Sequence, residues 1–450
     1  MIDRNDKRRP ELCQQVLKTI KEKEIKYVWL QFIDINGIPK SYGVRATEID
    51  DFLESGDGFD GSSISGFGRI EESDMVAVPD PSTFAIIPWR SIDHATARFI
   101  CDIYNPDETR AEQDPRYLLQ KAMKLYEQEG LTFSCAPELE FFWLKATGED
   151  APKESDFRGY FDADPGDENQ LMRREVAMYA DHFGIKVEAL HHEVAKSQHE
   201  IDIKYGQVGE IADATVTMKT LVKVVGQKHG YVGTFLPKPF FGHNGSGMHV
   251  HQSVWKGSEN MFYDQNDPKK ISDFMKSFIA GQLKHAKDFC AITNSWPNSY
   301  KRLVPGYEAP NFIAWGFKNR SMLIRVPNFM NKKNAARCEI RCPDPAGNPY
   351  LQFAALMVAG LDGVKNKLKA PDPIEINVFH SGKSELDKMG VSNLPRDLGE
   401  ALDNLEKSSL YRSFFGEKAF NNYLEIKREE FKLYSAQVSN WELSRYIPIL

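Results

Sequence analysis

The segment that most restricts how this chain can fold is PELEFFWL, in which Glu138 and Glu140 alternate with large apolar residues. Residues i and i+2 of a β-strand project from the same face, so the pattern predicts a strand with two carboxylates side by side. Such carboxylates repel each other unless that face is solvated or a cation lies between them. The neighbouring Leu139, Phe141 and Trp143 are typical core residues, which argues against a plain surface strand.

Composition excludes several classes of protein. The 450 residues are 41% hydrophobic and 27% charged, which is ordinary for a globular chain. The net charge of −7 argues against nucleic acid as the main partner, because phosphate binding usually needs a basic surface. The six cysteines have no framework spacing, the N-terminus lacks a signal-peptide pattern, and the longest apolar run, residues 351–361, is too short to span a bilayer. We therefore expect a cytoplasmic protein with reduced thiols and no membrane partner.

The order of patterns along the chain predicts two domains. Two strand-like runs flank Asn36-Gly37, the dipeptide that most favours a tight hairpin. A polar stretch with two prolines covers residues 104–115, so we place a boundary near residue 105. Residues 1–105 then form a small mixed domain, and residues 106–450 form a large α+β domain with a curved antiparallel sheet. Strands of the second domain are predicted at Thr132–Ala136, Leu139–Leu144, Lys186–Leu190, Met248–Val254 and Ala336–Arg341.

The segment VEALHHEVAKSQHEIDI places Glu188, Glu193 and Glu200 among three histidines. A zinc protease is the obvious alternative, but its HExxH motif would need histidine at position 196, where Lys196 stands. The segment is too apolar between its acids for a solvated surface. As the wall of a metal site, it would offer mostly oxygen ligands.

The segment FGHNGSGMHVHQS combines a glycine-rich turn with two histidines. The Asn244–Gly247 stretch can bring backbone amides close to a ligand, since glycine permits tight approach. His249 and His251 then share one strand face. An HxH pattern alone is weak evidence for a ligand site, and its position directly after the turn strengthens it.

A later segment of the chain combines a further acid with arginines. In ARCEIRCPDP, Arg337, Glu339 and Arg341 share one strand face. That arrangement fits either a cross-strand ion-pair stripe or a site that holds a metal through the acid and anionic oxygens through the arginines. Further charged residues follow in the chain: Arg302, Glu308, Arg320 and Arg325. The first two belong to a proline- and glycine-rich loop, which could act as a lid, and the other two belong to the segment after it.

Taken together, these segments indicate metal-assisted phosphate chemistry. Oxygen-rich ligand sets favour the hard cations Mg²⁺ or Mn²⁺ over zinc, and arginines opposite such metals suggest phosphoryl transfer. The sequence contains no Walker P-loop, so ATP would have to be held in another way. The acids available for this chemistry are Glu138, Glu140, Glu193, Glu200 and Glu339.

The ordered motifs FDGSSI, PELEFF, HHEVAKSQHEID, NGSGMHVH, KRLVPGYEAP, NRS and RCEIRCPDPAGNPYL resemble those of type I glutamine synthetase. The resemblance runs from about residue 15 to the C-terminus. It implies a β-grasp-like N-terminal domain, a catalytic domain with a funnel-shaped site, and a dodecamer of two stacked hexameric rings. It also implies active sites between subunits, each completed by the N-terminal domain of a neighbour.

The resemblance assigns roles to individual residues, with roughly two to three Mg²⁺ or Mn²⁺ ions per active site and ATP as a substrate. It implies Glu140, Glu193 and Glu200 as ligands of a first metal. It implies Glu138, His249 and Glu339 as ligands of a second. The implied glutamate-binding residues are Asn244, Gly245, Arg302, Glu308 and Arg341, and the implied residues around ATP are Glu188, His251, Ser253, Arg320, Arg325 and Arg337. Asp60 in FDGSS matches the aspartate of a neighbouring subunit that binds ammonium and takes its proton, which makes Asp60, Glu308 and Arg341 the expected catalytic residues.

Two positions bear on regulation. Arg69 in GFGRIEESDM matches an arginine linked to glutamine feedback inhibition in the α subgroup, with a surface ion pair to Glu71 or Glu72 as the alternative. The β subgroup is adenylylated on a tyrosine near a segment like NLYDLP. Here the matching stretch is INVFHS, where Phe379 has no hydroxyl, so we expect no control by adenylylation. The resemblance is compatible with a PII-type regulatory partner.

The expected activity is ATP-dependent ligation of L-glutamate and ammonia through γ-glutamyl phosphate. The nearest alternative is a γ-glutamyl-polyamine ligase, whose acceptor pocket should lack the acidic pair of Asp60 and Glu308; both are present. A catalytically dead relative should have lost acids or arginines from the expected site, and none is missing. A metallohydrolase is disfavoured by the failed zinc motif.

Overall fold

The structure, a computed structural model, describes residues 1–67, 74–89, 95–147, 150–163, 167–307, 309–317, 322–329, 332–375 and 390–450. Six residues named from the sequence lie outside these ranges: Arg69, Glu71, Glu72, Glu308, Arg320 and Phe379. All six cysteines are free, as expected. In the described part of the chain, no helix is both long enough and apolar enough to cross a bilayer.

The N-terminal part of the chain builds a mixed sheet with strand order β2-β1-β6-β4-β3, and β5 pairs with β6. The elements are α1 (Arg9–Glu22), β1 (Tyr27–Ile33), β2 (Pro39–Arg45), α2 (Ile49–Ser55), β3 (Asp57–Asp60), β4 (Asp74–Pro79), β5 (Ala85–Ile86) and β6 (Thr96–Tyr104). The expected hairpin is confirmed: β1 and β2 pair antiparallel around a turn in which Gly37 has φ +82°. β1 pairs parallel with β6, which makes the sheet mixed.

The rest of the chain builds a sheet of twelve strands, whose main path is β18-β15-β16-β17-β13-β7-β10-β9. Its strands are β7 (Thr132–Thr147), β8 (Asp150–Lys153), β9 (Val187–His192), β10 (Gln198–Ile203), β11 (Gly206–Gln207), β12 (Tyr231–Thr234), β13 (Val250–Lys256), β14 (Glu259–Asn260), β15 (Phe312–Gly316), β16 (Met322–Arg325), β17 (Cys338–Ile340) and β18 (Ser392–Asn393). Only β15 and β16 pair parallel among these described strands. The expected α+β fold with a curved, largely antiparallel sheet is confirmed.

Helices surround this sheet. They are α3 (Pro115–Glu127), α4 (Glu168–Asp181), α5 (Val208–Lys228), α6 (Asp273–Lys284), α7 (Ala286–Thr293), α8 (Ser299–Arg302), α9 (Pro349–Lys365), α10 (Leu398–Lys407), α11 (Ser409–Phe415), α12 (Glu417–Ser435) and α13 (Asn440–Tyr446). The apolar run of residues 351–361 lies in α9, which is buried on all sides. Such a helix belongs in the centre of a large core. Where α9 crosses α6, a Cβ on Gly363 would overlap the backbone of Ser277, so glycine permits the close approach of the two helices.

The strand predictions need three corrections. The two runs predicted around Pro137 form the single strand β7, because β7 changes neighbours at this residue: Ser134 and Cys135 pair with β11, whereas Glu138 onward pairs with β10. On the other side of the strand, β13 pairs with β7 from Thr132 through Pro137, so the strand continues across the proline. The strand predicted at Ala336–Arg341 is only Cys338–Ile340, because a 3₁₀ turn precedes it. The short strands β10, β15 and β16 were not predicted.

A buried ion cluster joins the two sheets. The Arg116 guanidinium is 2.7 Å from Asp80, 2.5 Å from Asp102 and 2.9 Å from Asp213. Asp80 and Asp102 belong to the N-terminal sheet region, whereas Arg116 begins α3 and Asp213 lies in α5. Bidentate and charge-assisted bonds of this kind fix orientation as well as distance. The N-terminal sheet is therefore held in a defined position on the larger part of the chain, whereas the division at residue 105 stays a prediction.

Candidate active site

The register of β7 and β10 brings four carboxylates onto one face of the large sheet. Glu138 and Glu140 alternate along β7, as the sequence predicted. Across the ladder, Glu200 lies opposite Glu140, and Asp202 lies opposite Glu138. Directly opposed residues of an antiparallel pair share a face, so all four side chains project the same way.

The strands on the other side of β7 extend this face. His251 of β13 lies opposite Ala136 of β7 and also opposite Glu339 of β17. Arg325 of β16 lies opposite Glu339 in turn. Residues that are far apart in the chain thus form one continuous row of charged and titratable side chains across the sheet.

Glu138, His249 and Glu339, expected from the resemblance as ligands of a second metal, come together in the structure. One ligand atom from each lies within 4.8 Å of the others. The Nδ1 atom of His249 is 2.8 Å from a carboxylate oxygen of Glu138 and 3.8 Å from one of Glu339. Burial and the Arg341 charge lower the pKa of His249 to about 4, so its ring is neutral and can offer a lone pair.

Glu140, Glu193 and Glu200, expected around a first metal, lie close enough to repel one another. Burial and the Glu193 carboxylate raise the pKa of Glu140 to about 8. Burial, with Glu140 and Glu138, raises the pKa of Glu200 well above its ordinary value. Carboxylates in this state are stabilised by a bound cation, and an all-oxygen set suits Mg²⁺ or Mn²⁺. The donor chemistry therefore suits such an ion, although among the described residues convergence within 4.8 Å is found for the second set and not for this one.

Two residues that sequence reasoning missed belong to the same region. His191 Nε2 is 3.0 Å from Glu200 Oε1, and His191, Glu200 and Asp202 bring one ligand atom each within 4.8 Å. Burial and the Glu138 charge raise the pKa of Asp202 to about 7. A usable signal was present, because Asp202 follows Glu200 by two residues, just as Glu140 follows Glu138.

A cavity of about 250 Å³ opens above the first carboxylate group. Besides the acids and His249, its wall includes Asn244, Gly245, Arg302, Arg325 and Arg341. The guanidinium of Arg302 is buried and donates to the carbonyl oxygens of Arg341, Cys342 and Pro343 at 3.0, 2.8 and 3.2 Å. Arg325 was expected beside ATP; it lies in this wall, where its Nε atom donates to Glu339 at 2.6 Å.

The glycine-rich turn approaches the site closely. A Cβ on Gly245 would overlap the Pro237 carbonyl, and a Cβ on Gly247 would overlap the Arg302 guanidinium. The Gly247 amide donates to Glu140 at 2.8 Å. These glycines therefore let the backbone approach Arg302 and an acid of the expected metal site.

A second cavity, of about 380 Å³, adjoins the first at Glu138, which lines both. Four residues expected around ATP line it: Glu188, His251, Ser253 and Arg337. His251 Nε2 is 2.7 Å from Glu138, and the Arg337 Nε atom is 3.3 Å from His251 Nδ1. Asp202, Tyr205 and Trp255 add one acid and two aromatic rings to the wall. A chamber lined by aromatic rings and an arginine suits a nucleotide.

Asp60 lies apart from both cavities. It ends β3 and is exposed, and its Oδ1 accepts a hydrogen bond from the Ser62 amide at 2.8 Å. Hydrogen bonds from Ser62 lower the pKa of Asp60, so it is ionised at neutral pH. Among the residues of this chain that line either cavity, Asp60 does not occur.

The raised pKa of Glu140 gives a prediction for stability. Its value in the folded chain is about 8 against an ordinary 4.5, so the folded state keeps a proton that the unfolded chain releases. Stability of the metal-free protein should therefore fall as pH rises between about 4.5 and 8. Added Mn²⁺ should raise the melting temperature more at the upper end of this range than at the lower.

Scanning fluorimetry in EDTA and in Mn²⁺ across this pH range measures the effect. Glu140→Gln is the control, since the amide does not titrate: the metal-free variant should lose less stability with rising pH and gain less from Mn²⁺. Identical pH profiles for the wild type and Glu140→Gln would contradict the prediction.

Comparison with known proteins agrees with this geometry. Residues 24–106 match the profile "Glutamine synthetase, beta-Grasp domain", and residues 112–446 match "Glutamine synthetase, catalytic domain". The glutamine synthetase of Methanosarcina mazei is 47% identical over 97% of this chain and 98% of its own. That of Thermotoga maritima is 45% identical over 96% and 99%. A solved structure described as a GmaS/ADP complex has a TM-score of 0.86 and 28% identity, covering 96% of this chain and 99% of its own.

Both parts of the chain match the family in order, and the relatives align over nearly their whole length. Apart from Asp202, the carboxylates and arginines of the site described above are those that the resemblance singled out. The chain belongs to the glutamine synthetase family, the ATP-dependent glutamate–ammonia ligases.

Proposed function

We propose that this chain is a type I glutamine synthetase that makes L-glutamine through γ-glutamyl phosphate, with the residue roles given below. The observation that supports it most is the pair of adjoining cavities that share Glu138. One holds the acids and Arg302, and the other holds His251, Arg337 and two aromatic side chains. A carboxylate substrate in the first and a nucleotide in the second would meet at Glu138. The ADP in the structure of the similar GmaS protein supports a nucleotide site in this fold.

The metal ligands would be Glu140, Glu193 and Glu200 for one ion, and Glu138, His249 and Glu339 for another. When bound, Mg²⁺ or Mn²⁺ neutralises phosphate oxygens and so makes the γ-phosphorus a better electrophile. Asp202 and His191 lie beside these sets and can hold water or a further ion. The expected total of roughly two to three ions per site fits this number of oxygen ligands.

Arg302 would bind a carboxylate of glutamate. A guanidinium group has five N–H donors, and three of those on Arg302 donate to backbone carbonyls. Two N–H groups are then left for the substrate, and the bonds to the carbonyls fix the direction in which these two point. Asn244, Gly245 and Arg341 line the same cavity and complete the proposed glutamate site.

Phosphoryl transfer follows from this placement. A γ-carboxylate oxygen of glutamate forms a bond to the γ-phosphorus of ATP, and the bond from that phosphorus to the β-γ bridging oxygen breaks, releasing ADP. Arg325 and Arg337 approach the region from opposite cavities and would neutralise charge on the phosphoryl oxygens. Arg320, outside the described residues, is proposed beside ATP, as are Glu188 and Ser253.

Ammonia would then displace phosphate. Ammonium is not a nucleophile until it loses a proton, so an acidic pocket both attracts the cation and accepts that proton. Glu308 is one proposed acid, and both of its neighbours in the chain, Tyr307 and Ala309, line the first cavity. The nitrogen bonds to the γ-carbon and phosphate leaves, which gives the amide. Closure of the loop that carries Glu308 would protect γ-glutamyl phosphate from hydrolysis by water.

Asp60 is the other proposed acid, supplied by a neighbouring subunit in a ring. Its exposure supports this arrangement, as does its absence from the walls of both cavities of its own chain. We propose that residues 1–105 complete the site of the neighbour in a dodecamer of two hexameric rings.

The choice of amine is tested by phosphate release from ATP with L-glutamate and either ammonium or putrescine. We expect release with ammonium and L-glutamine as product, and little with the diamine, because an acidic pocket sized for ammonium does not admit an alkyl chain. Glu193→Gln should lower the rate by about 10²-fold or more, since it removes a metal ligand. Release with putrescine alone would refute the proposed activity.

The shared site is tested by mixing subunits. Asp60→Asn and Glu339→Gln should each be inactive as pure oligomers. Dissociating and reassembling an equal mixture should restore roughly a quarter of wild-type activity, because that fraction of sites pairs an intact Glu339 with an intact Asp60 from the neighbour. Reassembled pure variants are the control. No recovery from a mixture that reassembles fully would place Asp60 outside the reaction.

Regulation is proposed from the sequence alone, since Arg69 and Phe379 lie outside the described residues. We propose feedback inhibition by glutamine that depends on Arg69, no adenylylation at Phe379, and a possible PII-type partner. Titrating glutamine against the wild type and Arg69→Ala measures the first: the variant should need several-fold more glutamine for half inhibition at unchanged activity. Equal inhibition curves would leave Arg69 as a surface ion pair.

A further inference from the structure

Glu193 stands on a short turn that joins β9 to β10, and that turn has an unusual backbone. Ser197, which is fully buried, has φ +59°, a left-handed conformation that few residues other than glycine adopt. Such a conformation persists only where its surroundings hold it in place. The turn connects Glu193 to Glu200, so its shape sets the distance between two of the acids assigned above to the first metal.

Asp156 holds this turn from outside the site. One of its carboxylate oxygens accepts from the Ser197 amide at 2.8 Å and from His192 Nε2 at 3.0 Å. The other accepts from the Asn169 side-chain amide at 2.8 Å. In return, the Ser197 hydroxyl accepts from the amides of Ser155 and Asp156 at 2.9 and 3.3 Å. Asp156 is 8% exposed, so water does not compete strongly for these bonds.

His192 carries the connection from Asp156 to Glu193. Its Nδ1 atom lies 2.6 Å from the backbone oxygen of Glu193, while its Nε2 atom faces Asp156. The ring thus bridges the Glu193 backbone oxygen and the Asp156 carboxylate, each within hydrogen-bond distance of one ring nitrogen. The ring, 1% exposed, therefore fixes the backbone of Glu193 relative to the Asp156 carboxylate.

A metal site is the obvious alternative, because Asp156, His192 and His199 bring one ligand atom each within 4.8 Å. A metal needs an unprotonated ring nitrogen from each histidine. The Nδ1 atom of His199 lies 2.8 Å from an Arg173 guanidinium nitrogen, which can only donate, so this Nδ1 accepts and the proton of the neutral ring is on Nε2. While Arg173 is its partner, His199 has no lone pair for a metal, and Asp156 and His192 alone are too few ligands for such a site.

We propose that Asp156 and His192 are positioning residues for the first metal site, which hold the β9–β10 turn so that Glu193 and Glu200 converge on one ion. This role rests on the ligand set given under the proposed function. Neither residue lines the first cavity, so neither is expected to touch substrate. Their effect would pass through the backbone of Glu193 and the turn at Ser197.

The experiment measures Mn²⁺ binding to the whole enzyme in the absence of nucleotide. Electron paramagnetic resonance gives the concentration of free Mn²⁺. Asp156→Asn keeps the size of the side chain, but an amide cannot accept all three of these hydrogen bonds. It should weaken one class of Mn²⁺ site by about tenfold or more and leave the other within about twofold. Glu193→Gln, which removes a proposed ligand directly, should weaken the same class.

Asp114→Asn is the matched control. Asp114 is an equally buried carboxylate that accepts from the backbone amides of Ile103 and Arg116 at 3.1 and 3.0 Å, and it lines neither cavity. Its variant should lower the melting temperature in EDTA without changing either class of Mn²⁺ site. Mn²⁺ affinity therefore separates positioning from general destabilisation.

Ser197→Gly provides a second variant should Asp156→Asn fail to fold, since glycine accepts φ +59° without strain while the hydroxyl is lost. It should weaken the same Mn²⁺ class to a smaller degree. The inference is overturned if Glu193→Gln weakens one class while Asp156→Asn, or Ser197→Gly in its place, leaves both unchanged. If Glu193→Gln itself changes neither class, the proposed ligand set fails, and the positioning role fails with it.

Discussion

Repulsion among buried carboxylates is the constraint on which the active-site half of this chain depends. Glu140 and Glu200 lie opposite each other in the sheet, with Glu193 beside them and Glu138 two residues away. In a low-dielectric interior, this arrangement is unfavourable unless protons or metal ions neutralise it. The raised pKa of Glu140 is the consequence for the metal-free chain. A bound hard cation would relieve the same repulsion.

Much of the surrounding structure serves to hold these acids together. The Gly247 amide and the Gln198 side chain donate to Glu140 at 2.8 and 3.2 Å, and His191 contacts Glu200. Glycine at position 247 lets Arg302 approach closely, and Arg302 is fixed in turn by three carbonyls. Behind the sheet, Asp156 and His192 bind the turn that carries Glu193. Each interaction alone is ordinary, and together they keep charged groups where a substrate needs them.

Sequence reasoning identified most of the expected site because the chemistry leaves a local trace. Glu138 and Glu140 alternate within an apolar run, and the family motifs supplied His249, Glu339 and the arginines. It missed Asp202 and His191, although Asp202 continues the alternation begun at Glu200. Short strands were missed for a physical reason: β10, β15 and β16 have four to six residues each. A pattern of that length does not distinguish a strand from a loop.

The sequence by itself determined the hairpin at Asn36-Gly37, the alternation of acids along β7 and membership of the family. These features depend on neighbouring residues or on ordered motifs. Only the tertiary structure decided that Glu200 faces Glu140, that Arg325 lies in the first cavity, and that the Gly247 amide binds an acid. It also showed that Asp60 lies apart from the cavities of its own chain. The physical reason is that strand register and helix packing are set by contacts between distant residues, and local patterns carry no record of which strands become neighbours.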